Sequence, residues 1–95
     1  MVQNGQLLAV FNSAHRVMKA ESVLKNSGVT ILLIPAPRAL STDCGLAICY
    51  NSDLYDSVLH FLTSKNILPD VIYLKESDLR YEPVWSPNNI KDSGV

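Results

Sequence analysis

Apolar positions along this chain fall into short runs and spaced stripes separated by polar breaks. Leu7-Leu8-Ala9-Val10-Phe11 is short, apolar throughout and followed by polar residues, which predicts a buried strand. Asn12 or Ser13 then suits the cap of a helix running to about Asn26. Ala14, Val17, Ala20, Val23 and Leu24 line its inner side, and Ser27-Gly28 supplies the stop. Val29 to Ile34 is rich in β-branched residues and ended by Pro35, so it reads as a second strand. Gly45 to Tyr50 reads as a third. Ser52 is a plausible cap for a second helix that puts Leu54, Val58, Phe61 and Leu62 on one face and ends near Lys65-Asn66. Asp70 to Leu74 predicts a fourth strand.

The order is βαββαβ. Right-handed crossovers and antiparallel neighbours favour a ferredoxin-like α+β two-layer sandwich, an antiparallel sheet of order 4-1-3-2 with both helices on one face. One domain is expected over residues 1–75, with 76–95 as a C-terminal tail, partly packed and then flexible. The strands carry apolar residues on both pleat faces, whereas a half-exposed antiparallel sheet alternates apolar with polar. Something must cover the second face. The options are the tail, with Tyr81, Val84 and Trp85, or a second subunit, and a homodimer through the open sheet face is the preferred solution.

Composition narrows the function classes. The chain has 95 residues, 47% apolar and 18% charged, which suits one globular domain and not a disordered segment. A net charge of -1 with scattered Lys and Arg argues against nucleic acid and membrane surfaces, which call for clustered positive charge. Met1 to Gln6 lacks a basic n-region, and the apolar run after it is too short for a signal peptide or a membrane span. A cytoplasmic location is therefore expected.

The connector from Pro35 to Cys44 is far longer than a hairpin needs, and long ordered connectors tend to be functional. It holds Arg38 and Ser41 and ends on Asp43-Cys44-Gly45. In the expected topology the first two strands run parallel, so their ends, the start of the first helix and this connector share one edge of the sheet. Asn12, Ser13 and His15 should face the same space as Arg38 and Cys44. A helix N-terminus and a nearby cation favour a thiolate, the nucleophilic form of cysteine, while Asp43 opposes it. Gly45 allows a tight turn that leaves the sulfur accessible. The plainer readings stand beside this one: an incidental loop cysteine, a solvated Arg38, an idle His15, and Ser13 as a simple cap.

Cys49 sits among aliphatic residues of a strand and reads as a small core or interface residue. Extended, the five-residue step from Cys44 to Cys49 spans roughly 16 Å, too far for a disulfide or for joint metal ligation. No CxxC, HExxH or phosphate-cradling glycine motif is present, so neither a metal nor any cofactor is expected.

The run Ile34, Pro35, Pro37, Arg38, Ser41, Cys44, Gly45 and Leu46, following a strand–helix–strand start, resembles the hallmark of the selenium/sulfur carrier-like family of small bacterial proteins. Glu21 and the Ser13-Ala14-His15-Arg16 helix start look like features of the same family, and the resemblance covers about Leu7 to Leu74. It implies a carrier, not a turnover enzyme. Cys44 would hold a persulfide or selenyl-sulfide, Arg38 and the helix amides would stabilise the charged sulfur, and His15 would shuttle a proton. Donor and acceptor proteins would be the partners. The alternatives left open are a dimeric small-molecule-binding module in which Cys44 is a bystander, and an interaction module of a larger assembly.

Overall fold

The computed structural model describes residues 3–40 and 44–87. Its elements are β1 (Gln6–Val10), α1 (Ala14–Asn26), β2 (Leu32–Pro35), β3 (Leu46–Asn51), a 3-10 turn at Ser52–Leu54, α2 (Tyr55–Ser64), β4 (Val71–Ser77) and β5 (Arg80–Trp85). The architecture is α+β: a five-stranded sheet, antiparallel at every pairing, with two helices.

Sheet order is β2-β3-β1-β4-β5, which differs from the expected four-stranded 4-1-3-2. The difference comes from residues 80–85, within the segment read from sequence as a tail. They pair with β4 beyond the two-residue turn Asp78-Leu79. Pro83 hides this strand in a sequence reading because proline cannot donate to a ladder, but an outermost strand tolerates it.

Other boundaries move for local reasons. Gly28 takes φ 81 and Val29 N–H donates to Leu24 O at 3.0 Å, so Val29 belongs to the close of α1 and β2 begins only at Leu32. Ser52 does not cap α2: the chain first makes the 3-10 turn, whose cap position is Asn51. Ser13 does cap α1, its Oγ accepting from Arg16 N–H at 3.2 Å.

Strand alternation splits the apolar residues between two clusters. On the helix side, Leu7, Ala9, Ile48, Tyr50 and Ile72 pack with Phe11, with Val17, Ala20 and Leu24 of α1, and with Val58 and Leu62 of α2. On the opposite face, Leu8, Val10, Ala47 and Cys49 are buried together with Leu40. Leu40 belongs to the long connector, so a connector side chain covers part of the face that the apolar pattern left open. Ile34, Val71, Tyr73 and Tyr81 border this second cluster. Among the described residues no helix is long and apolar enough to cross a membrane.

Candidate functional site

The connector is closed at its base by backbone. Ala36 N–H donates to Gly45 O at 2.9 Å, next to the Pro35–Leu46 pair that ends the β2–β3 ladder. Gly45 holds φ 71, a left-handed conformation that glycine adopts without strain. A Cβ built there meets nothing within 4 Å, so the requirement is conformational and not one of space. Cys44 is the last residue inside the loop that this bond closes and packs against the helix-side cluster, whereas Leu40 packs on the other face.

The Cys44 thiol is half-buried. Its Sγ donates to Phe11 O at 3.3 Å and to Leu46 O at 3.4 Å. Phe11 sits at the corner where β1 hands over to α1, so the fold does bring the connector's cysteine to the start of that helix. The corner is braced from within by Arg16. Its guanidinium donates to Leu68 O at 2.6 Å and to Asn12 Oδ1 at 3.2 Å, and lies 3.5 Å from Asp70 Oδ1. It also stands over the Phe11 ring, 5.9 Å from the centroid. Asp70 N–H in turn donates to Val10 O at 2.8 Å.

The residues singled out from sequence divide into two groups. Cys44 and Gly45 adjoin the corner that contains Asn12 and Ser13, but Asn12 serves as acceptor for Arg16 and Ser13 serves as helix cap. His15 and Arg38 are exposed, and neither is among the hydrogen-bond partners of the Cys44 sulfur. Ser41 and Asp43 lie outside the described residues. Arg16 stands out in the sequence only as part of the helix start, and its bracing role comes from the fold. Its position one turn beyond the strand end was visible, but its partners at Leu68 and Asp70 come from more than fifty residues away.

Cys49 is a different kind of thiol. It is buried on the second face, its Sγ lies 3.5 Å from Gln6 Oε1, and burial pushes its pKa up, favouring the neutral form. The two cysteines pack on opposite faces of the sheet, and both are free thiols. A cleft of about 430 Å³ lies beside the connector, lined by Ile34, Pro35, Ala36, Pro37, Lys75, Asp78 and Tyr81. Among the described residues no three His, Cys, Asp or Glu side chains gather in a way that could hold a metal ion.

Comparison with known proteins gives one match. No curated protein and no solved structure matches the chain. Residues 6–74 match the family model described as "Putative Se/S carrier protein-like". That span runs from the first residue of β1 to within β4 and includes both helices, the whole connector and Cys44. On this match the chain belongs to the Se/S carrier protein-like family.

Proposed function

We propose that this protein carries a sulfur or selenium atom on Cys44 and passes it to a partner protein. The observation that carries the reading is the contrast between its two thiols. Cys44 is half-exposed at the mouth of a connector tied down at its base, while Cys49 is buried on the opposite face. Family membership supports the same assignment.

The chemistry is a thiol–persulfide exchange. Cys44 loses its proton, and its sulfur attacks the outer sulfur of a donor persulfide. A new S–S bond forms on Cys44, the donor's S–S bond breaks, and the donor cysteine leaves as thiolate. Delivery runs the same exchange toward an acceptor thiol. With selenium the atom held is the outer one of an S–Se pair. In the resting arrangement the thiol hydrogen points to carbonyl oxygens of Phe11 and Leu46. An anion has no hydrogen to offer them, so the reacting sulfur turns away from both. In this reading Arg38, exposed on the same connector, and the first amides of α1 meet the negative charge. His15, exposed in the first turn of α1, takes or returns the proton in this reading.

Incubation of reduced protein with a cysteine desulfurase and cysteine, read by intact mass, tests the proposal. One added sulfur is expected, lost in Cys44→Ser and kept in Cys49→Ser. Absence of any gain with a desulfurase loaded from cysteine, with one loaded from selenocysteine, and with polysulfide alike would reject it.

The cleft between the connector and the β4–β5 hairpin favours a second reading, a small-molecule-binding module. Lys75, ion-paired to Asp78 at 3.4 Å, and Tyr81 supply its polar lining. A ligand that raises the melting temperature equally in wild type and Cys44→Ala would support that reading over the carrier.

A further inference from the structure

The oxygen that receives the Cys44 thiol belongs to the peptide between Phe11 and Asn12. That peptide lies in the short stretch between Val10, the last residue of β1, and Ser13, the cap of α1. On one side the chain is anchored where Asp70 N–H donates to Val10 O at 2.8 Å. On the other it is anchored where Ser13 Oγ accepts from Arg16 N–H at 3.2 Å. Neither of these two bonds reaches Phe11 or Asn12. A planar peptide held only through its neighbours can still turn about the φ and ψ angles that flank it, and carry its oxygen elsewhere.

The Arg16 side chain supplies what those anchors leave out, because it touches the residue on each side of this peptide. Its guanidinium lies 5.9 Å from the centroid of the buried Phe11 ring and donates to Asn12 Oδ1 at 3.2 Å. The same group is held from across the corner, donating to Leu68 O at 2.6 Å and lying 3.5 Å from Asp70 Oδ1. A planar fork of donors meets these partners together, which the point charge of a lysine does not.

We propose that Arg16 is a positioning residue for Cys44: by fixing the Phe11–Asn12 peptide, it fixes the oxygen against which the sulfur rests. An S–H···O bond is weak, so it marks where the sulfur sits and does not hold the oxygen in place. Control therefore runs from Arg16, through the peptide, to the thiol. The second acceptor, Leu46 O at 3.4 Å, is on β3, where pairing with β2 keeps it in register. When the Phe11 oxygen turns away, the thiol hydrogen is left with one carbonyl and the sulfur is free to move toward solvent. The proposal rests on the carrier reading only for what the seated sulfur does, and it is tested on the thiol itself.

Two measurements test it: Raman spectroscopy of the S–H stretch in a Cys49→Ser background, and timed alkylation of protein with both thiols. In that background Cys44 supplies the only S–H band. Arg16→Ala should move the band to higher frequency, toward that of a thiol without carbonyl acceptors. It should also speed Cys44 labelling by about threefold or more, with Cys49 labelling unchanged. Arg16→Lys keeps the charge without the fork, and should leave the band closer to Arg16→Ala than to wild type. A merely structural role would speed both thiols together and leave the band of the folded protein unmoved. Either result overturns the proposal. Should Arg16→Ala misfold, Asn12→Ala decides, since Asn12 is exposed and its loss removes one of the two contacts to the peptide. A shift of the band in the same direction is expected, and an unmoved band overturns the proposal. A shifted band in a protein that gains no sulfur would uphold the positioning role and reject the carrier.

Discussion

The Cys44 sulfur donates to the carbonyl of Phe11, 33 residues earlier in the chain, at 3.3 Å. Two distant segments thus meet at one hydrogen bond: the end of a long connector and the corner between β1 and α1. The geometry of that corner decides where the sulfur sits.

The two thiols should react in a fixed order. Cys44 is half-exposed, whereas Cys49 is 6% exposed and burial pushes its pKa up. An alkylating agent at neutral pH is expected to label Cys44 first, with Cys49 slower by about tenfold or more until denaturant opens the sheet. Peptide mapping after timed quenching measures both rates.

Removing Arg16 should loosen the corner. Its guanidinium binds Leu68 O, Asn12 and Asp70 and covers the Phe11 ring. The exposed ion pair with Asp70 adds little, so the loss is mainly one charge-assisted hydrogen bond and ring contact. Arg16→Ala should cost about 2 kcal/mol in urea unfolding. Arg16→Lys should recover less than half of it, because an ammonium does not span the same partners.

Gly45→Ala isolates backbone strain from packing. The position holds φ 71, and an added Cβ touches nothing within 4 Å. A cost of about 1–2 kcal/mol is expected from the conformation alone, with Gly45→Asn milder. Thermal unfolding ranks the three proteins. The reverse ranking of Ala and Asn would contradict a left-handed residue here.

Leu40→Ala should expose the second face. Leu40 is 8% exposed and completes the cluster of Leu8, Val10, Ala47 and Cys49. A loss of about 2–3 kcal/mol is expected, together with faster alkylation of Cys49. No change in Cys49 labelling would mean that Leu40 does not cover that face in solution.

Tyr50 links stability to alkaline pH. Its hydroxyl is buried without a hydrogen-bond partner among the described residues, and burial raises its pKa well above the usual tyrosine value. The unfolded chain therefore loses this proton first. Stability is intact below the unfolded value of about 10 and falls above it, by up to about 1.4 kcal/mol per pH unit. Tyr50→Phe should remove that share of the slope. At neutral pH it should be neutral or stabilising by about 1 kcal/mol, since it deletes an unsatisfied polar atom. Unfolding curves at pH 7 and above 10 check both.

Helix α1 was legible because its signals are local. Ser13 as cap, the Val17, Ala20 and Leu24 stripe and the Gly28 stop all act within one turn of the residues they affect. β5 was not legible: Pro83 speaks against a strand unless the strand is outermost, and only pairing with β4 establishes that. Leu40 reads as one apolar residue in a polar loop until the fold places it over Leu8 and Val10.

The same division holds at the sulfur. Composition, the connector's length and the Ile34–Leu46 motif identify Cys44 as the cysteine to consider, because residue type and spacing are properties of the chain alone. Its hydrogen bonds to Phe11 and Leu46, its separation by a sheet from Cys49, and the placement of Arg16 at the corner depend on which strands become neighbours. Strand neighbours are selected by burying two apolar faces at once, and that energy is summed over the whole sheet. No short segment contains it.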